Sequence, residues 1–339
     1  MSVIAPIREK IASGRAARKY FDLISGEMSL VEAEFERQAS SNIQVVNYVG
    51  DYIRASGGKR VRPALLILAN YAVGGDGRAE NVIRLATVME MLHTATLVHD
   101  DIIDNAEIRR SRSSVNAKFG NPAAVLMGDW LYMSAFETSL KERSLEILDI
   151  LTRLTRMMTE GELLQLTVVG KIALSEDEYF DILRRKTAYL FSACCEIGGL
   201  LAGADEKRRT ALRDYGMDLG IAFQLADDLL DLTSDSETLG KSAGADLLEG
   251  KLTLPLIMLR RQDNKIDRIL ARIFSDKDYH EEGRELLFTR LKAGGMLESA
   301  AEVSRKFAKS AIKNLDVLPE TEYCSALEAL PGYVVERVN

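Results

Sequence analysis

The chain has 339 residues, and its 51 aspartates and glutamates outnumber its 44 lysines and arginines, which gives a formal net charge of −7. This balance argues against non-specific nucleic-acid binding, which needs a basic face to neutralise phosphates. Its three cysteines, Cys194, Cys195 and Cys324, are too few for a disulfide framework, so we expect a reducing, cytoplasmic location. Charges come too early for a signal peptide, and no segment has the ~20 apolar residues of a transmembrane helix.

Helical periodicity recurs along the whole chain. It predicts helices near residues 42–55, 63–73, 80–106, 122–140, 144–169, 177–203, 206–232, 253–262, 281–293, 297–315 and 322–335. No proline occurs between Pro122 and Pro255, whereas a β-rich domain of that length would need proline-containing turns. The sequence therefore predicts one all-α domain over residues 41–339, preceded by a polar helical extension over residues 1–40.

One acidic pattern occurs twice, as DDIID from Asp100 to Asp104 and as DDLLD from Asp227 to Asp231. Carboxylates four residues apart share a helix face and repel each other unless a cation neutralises them. Both segments follow strongly apolar stretches, unlike a solvated acidic face. Oxygen ligands without a nearby thiolate suit Mg²⁺ or Mn²⁺. The spacing predicts metal ligands at the pairs Asp100–Asp104 and Asp227–Asp231.

Basic residues that suit phosphate cluster near these motifs in the sequence. Mg²⁺ commonly bridges protein carboxylates to substrate phosphates, and arginine forks match phosphate oxygens. Candidate donors are GGKRVRP (57–63), Arg109, Arg110, Lys241 and Lys251, and His93 lies two helical turns before Asp100. Because no serine or cysteine lies in a nucleophile elbow, the pattern predicts electrostatic handling of a diphosphate.

Two other motifs are rejected on their context. Glu90 and His93 match the Glu-x-x-His of di-iron bundles, but the second copy that such bundles need is missing. Gly240-Lys241-Ser242 resembles the end of a P-loop, but Asp235 occupies the position of the required glycine.

Seven segments together resemble the trans-polyprenyl diphosphate synthases. In chain order they are GGKRVRP (57–63), LHTATLVHDDIIDNAEIRR (92–110), GDWLY (128–132), GELLQL (161–166), KTAYL (186–190), GIAFQLADDLLD (220–231) and GKSAGADLLEGKLTLP (240–255). The resemblance implies the isoprenoid-synthase fold, a single helical bundle around a deep cavity, and normally a homodimer. It also implies Mg²⁺-dependent condensation of an allylic diphosphate with successive isopentenyl diphosphates, by ionisation, condensation and elimination.

The resemblance also implies a role for each matching residue. The residues with catalytic roles are Asp100, Asp101, Asp104, Lys186, Asp227 and Lys241. The aspartates that hold Mg²⁺ are Asp100, Asp101 and Asp104 of the first motif and Asp227, Asp228 and Asp231 of the second. Within the second motif, Asp227 binds the metal most directly. The allylic substrate contacts Arg109, Lys186, Thr187, Gln224 and Lys241, with Lys251 close by. The diphosphate of isopentenyl diphosphate binds Lys59, Arg62, His93 and Arg110.

The string HTATLVHDD resembles the long-chain members, octaprenyl to decaprenyl, which usually supply quinone side chains such as that of ubiquinone. Short-chain members tend to have an aromatic residue five positions before the first motif, where this chain has Ala95. The residues expected to set the chain length are Ala95, the next residue Thr96, and Leu92 one helical turn earlier. We therefore expect an open tunnel whose floor lies deeper, at Met89 or the Met157–Met158 pair.

Several alternatives stay open at this stage. They are a geranylgeranyl or farnesyl diphosphate synthase, and a non-catalytic subunit of a heteromeric synthase, although such a subunit is expected to lose aspartates that are intact here. A terpene cyclase is disfavoured, because cyclases lack the second diphosphate substrate that the GGKR segment and Arg109–Arg110 serve. A peripheral membrane contact during product release also stays open.

Overall fold

A computed structural model describes residues 21–55, 57–110, 112–233 and 244–336. Its α-helices are α1 (Ser25–Gln38), α2 (Gln44–Ala55), α3 (Val61–Ala72), α4 (Glu80–Ile103), α5 (Val115–Phe119), α6 (Asn121–Leu140), α7 (Leu145–Val168), α8 (Glu176–Leu183), α9 (Tyr189–Leu201), α10 (Glu206–Thr233), α11 (Ala245–Leu248), α12 (Leu254–Gln262), α13 (Asp267–Asp276), α14 (Glu281–Ala293), α15 (Met296–Asn314) and α16 (Glu322–Glu336). Over the described ranges, strand occurs as one short hairpin of β1 (Ile108–Arg109) and β2 (Arg112–Ser113). The predicted all-α fold class is confirmed.

Helix α4 lies at the centre of the molecule. Nearly every residue from Val82 to Ala95 is buried, on all sides of the helix and not on one face. A helix that is apolar all round belongs in a core, and α4 packs against α1, α3 and α6. Its last turn carries Asp100 and Asp101, so a fully packed helix fixes the position of the first acidic motif.

The sequence predicts one continuous helix over residues 177–203, whereas the structure divides it. Helix α8 begins with a capping box between Ser175 and Glu178. One turn of π-helix, Arg184–Ala188, then separates α8 from α9. Such turns are rare and occur frequently at functional sites, and this one carries Lys186. Apolar periodicity does not reveal one extra residue in a turn, which is why the sequence reads as a single helix.

Other elements also differ from the prediction, among them α5, α11 and the β1–β2 hairpin, which the sequence does not predict. Helix α4 ends at Ile103, about three residues early, because the chain turns at Asp104 toward the hairpin in which Ile108 pairs with Ser113. The sequence does not predict α13, whose ten residues bury Leu270 and Ile273 in an apolar cluster around α12 and α15. Short amphipathic helices among charged residues give too few periods to recognise.

The predicted N-terminal extension is described only in part, since residues 1–20 lie outside the described residues. Its described helix, α1, buries Val31 and Phe35 in the main core and packs against α4. This helix is therefore part of the packed bundle. None of the described helices combines the length and the apolar character that spanning a membrane requires.

Candidate active site

A cleft of about 460 Å³ opens beside the C-terminal end of α4. Its polar lining comes from six separate segments of the sequence and consists of Arg62, His93, Thr96, His99, Asp100, Arg109, Tyr132, Thr159, Glu162, Lys186, Thr187, Gln224 and Asp227. Gly128 on α6 shapes the wall beside Asp100, because a Cβ at this position would lie 2.2 Å from His99 Nε2. Glycine in the GDWLY segment therefore leaves room for the His99 ring between α6 and α4, next to the first motif.

Cations hold two carboxylates of the first motif. Arg109 donates from Nε to Asp101 Oδ1 at 2.6 Å, and its Nη2 lies 2.5 Å from the same oxygen. Lys251 donates to Asp104 Oδ1 at 3.1 Å and to Glu249 at 2.6 Å. Burial alone would lower the pKa of Lys251, but the bond to Glu249 and the charge of Asp104 outweigh burial and raise the pKa above its usual value. The structure thus joins Lys251 to the first motif across 147 residues.

Asp100 is the carboxylate of the first motif that faces the cleft. Burial raises its pKa from 3.8 to about 6, the charge of Lys186 opposes this shift, and the carboxylate of Glu162 adds to it. When the pKa of a buried carboxylate is raised, the surroundings do not fully compensate the negative charge of its ionised form. Such a group is well suited to receive a cation.

Neutral hydrogen-bond donors hold the rest of the second motif. Asp228 accepts from the Tyr179 hydroxyl at 2.5 Å and from Gln224 Nε2 at 2.8 Å. Asp231 accepts from the backbone N–H groups of Ala245 and Asp246 at the start of α11. Burial and the nearby charge of Asp246 raise the pKa of both Asp228 and Asp231. Asp227 differs from these two, because it lines the cleft.

A second cavity of about 470 Å³ adjoins the cleft and is mainly basic. Its charged lining consists of Lys59, Arg60, Arg62, Glu90 and Arg110, and His93 lies among them. Arg62, His93 and Phe223 line both cavities, so the two spaces meet at these side chains. All four residues that the sequence assigns to the second diphosphate, namely Lys59, Arg62, His93 and Arg110, lie together here.

The two shared polar residues are strongly desolvated. Burial lowers the pKa of His93 well below its usual value, and the charges of Arg62 and Arg110 lower it further. His93 is therefore neutral at neutral pH and serves as a hydrogen-bonding group. The Arg62 guanidinium lies 5.0 Å from the centre of the Phe191 ring, in contact with a buried aromatic face.

Arg60 belongs to the candidate donor segment GGKRVRP, but the sequence predicts neither its pairing with Glu90 nor a place for Glu90 in this basic cavity. Arg60 Nη1 donates to Glu90 Oε1 at 2.7 Å, and Arg60 Nε donates to Glu32 Oε1 at 2.6 Å. Glu90 is 2% exposed, and its Oε2 is buried without a hydrogen-bond partner. The Glu90–His93 spacing draws attention to this turn of α4, but nothing in the sequence pairs Glu90 with an arginine 30 residues away.

The carboxylates fit a divalent cation that is shared with a substrate. Over the described parts of the chain, no three acidic, histidine or cysteine side chains converge into a complete metal site. Mg²⁺ typically takes one or two carboxylates together with phosphate oxygens and water, so a protein cage is not required. Asp100 and Asp227 offer oxygen ligands from two helices to one cleft, and no cysteine lines that cleft.

The remaining predicted residues differ in where they lie. Thr187 Oγ1 donates to Gln224 Oε1 at 2.9 Å on the cleft wall, and Lys241 lies outside the described residues. Thr96 and Met158 line the cleft. Ala95 and Leu92 are 0% exposed, and they are not among the residues that line the cleft.

Comparisons with known proteins agree with this geometry. Residues 43–288 match the family model for polyprenyl synthetase. The octaprenyl diphosphate synthase of Escherichia coli strain K12 is 38% identical over 319 residues, which cover 94% of this chain and 98% of that protein. The geranylgeranyl diphosphate synthase of Methanosarcina mazei is 36% identical over 291 residues, which cover 84% of this chain and 88% of that protein.

Solved structures show the same relationship. The crystal structure of a Caulobacter crescentus polyprenyl synthase, complexed with calcium and isoprenyl diphosphate, is similar with a TM-score of 0.89 at 34% identity. The match covers 95% of this chain and 98% of that one. The chain therefore belongs to the polyprenyl synthetase family and is a prenyl diphosphate synthase, a trans-prenyltransferase.

Proposed function

We propose that this protein extends an allylic diphosphate primer with successive isopentenyl diphosphates to a long all-trans product, octaprenyl to decaprenyl in length. The observation that carries the two-substrate reaction is the pair of adjoining cavities, which meet at Arg62 and His93. One cavity presents carboxylates and cations together, as a metal-bound diphosphate needs. The other presents mainly cations, as a diphosphate without metal needs.

The cleft residues handle charge during the first step. Asp100 and Asp227 are the metal ligands in the cleft, Asp101 and Asp104 complete the first group, and Asp228 and Asp231 support Asp227. When bound, Mg²⁺ supplies positive charge that stabilises a departing diphosphate. Lys186, Arg109 and Lys251 add fixed positive charge where negative charge develops on the leaving group. The allylic C–O bond then breaks heterolytically, and the diphosphate leaves with the electron pair.

The basic cavity holds the second substrate for the next steps. Lys59, Arg62, Arg110 and neutral His93 bind the diphosphate of isopentenyl diphosphate, whose double bond attacks the allylic cation and forms a carbon–carbon bond. One proton is then lost to the released diphosphate, and the product is an allylic diphosphate longer by one isoprene unit. Apolar side chains on the cleft wall, including Leu97, Leu190 and Phe223, exclude water that would quench the cation.

A homodimer is the second part of the proposal. Leu126, Met133 and Leu140 recur every seven residues along α6 and are 68%, 62% and 48% exposed. Leu145 and Leu163 on the following helix, α7, are also exposed. Apolar surface of this extent is typical of an interface, and a second copy of the chain offers the same face. We place the enzyme in the cytoplasm, with its product serving as a quinone side chain and with membrane contact confined to product release.

Product analysis tests the chain length. Purified protein is incubated with farnesyl diphosphate, excess isopentenyl diphosphate and Mg²⁺, and dephosphorylated products are separated by reverse-phase chromatography. We expect all-trans alcohols of eight to ten isoprene units. A product of four units would show a geranylgeranyl diphosphate synthase. A farnesyl diphosphate synthase would be detected by a parallel incubation with geranyl diphosphate that stops at three units, since farnesyl diphosphate already contains three. No turnover at all, with the protein still stabilised against heat by Mg²⁺ and diphosphate, would show a non-catalytic subunit.

The residue at position 95 tests where the growing chain runs. Ala95→Phe places a ring next to Thr96 on α4, so we expect shorter products because the ring closes the space beyond the cleft. Thr96→Val is the matched control, since it changes the cleft wall without adding volume, and it should leave product length unchanged. An unchanged product distribution for Ala95→Phe in a folded enzyme would place the tunnel elsewhere.

A further inference from the structure

Glu162 is a carboxylate on the cleft wall that lies outside both acidic motifs. Its side chain is 16% exposed, and its Oε2 lies 2.7 Å from Lys186 Nζ. The proposed chemistry gives it no role, although it is one of the few acidic groups that line the cleft. A second carboxylate near Asp100 works against diphosphate binding unless it serves another purpose.

Gln165 shares the contact with Lys186. Its Oε1 accepts from Lys186 Nζ at 3.0 Å. Glu162 and Gln165 are three residues apart on α7 and therefore project from the same face of the helix. An ammonium group has three N–H donors on a flexible four-carbon stem. Two acceptors on one helix face occupy two of these donors and leave the third for a substrate oxygen.

The backbone beneath this contact is unusually close. A Cβ at Gly161 would lie 2.9 Å from the backbone nitrogen of Lys186 and 2.7 Å from Arg185 Cβ. Only glycine at this position lets α7 approach the π turn so closely. Since Gly161 directly precedes Glu162, close packing brings the carboxylate and the ammonium within reach of each other.

We propose that Glu162, assisted by Gln165, is a positioning residue that holds the Lys186 ammonium toward the diphosphate of the allylic substrate. The inference rests on the proposed function of Lys186. It does not make Glu162 a metal ligand or a catalytic residue, because its contact is with Lys186. Its expected effect passes entirely through that lysine.

A neighbouring ion pair provides a matched control. Glu160, two residues earlier on α7, pairs with Arg185 at 2.5 Å, so it joins the same helix to the same π turn. The Glu160 side chain is 43% exposed, and it does not line the cleft. Loss of either glutamate removes one carboxylate between α7 and the π turn, but only Glu162 contacts Lys186.

The test is a double-mutant cycle on binding of inorganic diphosphate with Mg²⁺, measured by calorimetry. Glu162→Ala should weaken binding about tenfold, the size expected for one hydrogen bond to a charged group. Lys186→Ala should weaken it at least as much, and the double variant should match Lys186→Ala. Glu160→Ala should stay within about twofold of the wild type.

Two further measurements separate positioning from folding. Glu162→Gln keeps an oxygen acceptor, so it should recover most of the affinity, and Glu162→Ala should raise KM for the allylic diphosphate more than it lowers kcat. Additive losses in the double variant, or equal losses for Glu162→Ala and Glu160→Ala, would overturn the inference. A wild-type protein that does not bind diphosphate with Mg²⁺ would instead overturn the proposed function, and this inference with it.

Discussion

The two acidic motifs have the same spacing but different surroundings. In the first, Arg109 and Lys251 pair with Asp101 and Asp104. In the second, a tyrosine, a glutamine and two backbone N–H groups hold Asp228 and Asp231. Each motif nevertheless sends one carboxylate into the same cleft, Asp100 from the first and Asp227 from the second.

The carboxylates of the two motifs differ in whether a bound substrate would compete for their partners. Arg109 and Lys251 are also proposed to bind the substrate, so the first motif shares its partners with the ligand. Apart from Gln224, which also lines the cleft, the donors to the second motif belong to the fold itself, and Asp231 fixes the start of α11 through backbone bonds. The same five-residue pattern therefore has partners that the substrate shares in the first motif and mainly structural partners in the second. Only Asp100 and Asp227 have the same role, because each directs its carboxylate into the cleft.

The largest expected effect tests this equivalence. Asp100→Asn and Asp227→Asn each remove a charged oxygen ligand from the cleft, and we expect kcat to fall by about 10³-fold because several kcal/mol of charge stabilisation are lost. Steady-state rates at saturating Mg²⁺ measure the effect. A near-normal rate for either variant would remove that residue from the metal site.

A smaller effect is expected for Asp231→Asn. Asparagine keeps one side-chain oxygen, so it still accepts one of the two backbone bonds at the start of α11. We expect kcat to fall by about tenfold. Folding stability should change by less than about 1 kcal/mol, because removal of a buried charge whose pKa is raised offsets the lost backbone bond. The measurement pairs steady-state rates with chemical denaturation. A fall in kcat as large as that of Asp227→Asn would show that Asp231 is a direct metal ligand. The second motif would then not divide into one ligand, Asp227, and supporting carboxylates.

Local sequence patterns predict the long helices and place Asp100 and Asp227 on helices, because helical spacing acts over a few residues. The pairing of Lys251 with Asp104 and of Arg60 with Glu90 depends on tertiary packing between distant segments. The sequence therefore cannot show that Asp101 pairs with a cation, whereas Asp228 accepts hydrogen bonds from neutral donors. The sequence does not predict a role for Glu162 for the same reason. Its role depends on contact with Lys186, which lies on a π turn that apolar periodicity does not reveal.

The smallest expected effect concerns stability and has the opposite sign to the effect on activity. The pKa of Asp100 is raised from 3.8 to about 6, chiefly by burial, so the folded protein binds this proton more tightly than the unfolded chain. The ionised carboxylate therefore destabilises the fold above pH 6, and this penalty disappears as the pH falls from about 6 toward 3.8. We expect Asp100→Asn to stabilise the metal-free protein at pH 7.5 by about 1 kcal/mol.

Thermal unfolding in EDTA at pH 7.5 and at pH 4.5 measures this stabilisation. The gain in Tm should be present at pH 7.5 and largely absent at pH 4.5. Asp149→Asn, at an exposed position on α7, should leave Tm unchanged at both. A gain of equal size at both pH values would show that the added stability comes from packing. A loss at pH 7.5 would show that Lys186 compensates the Asp100 charge fully, and the first motif would then be as firmly held by the protein as the second.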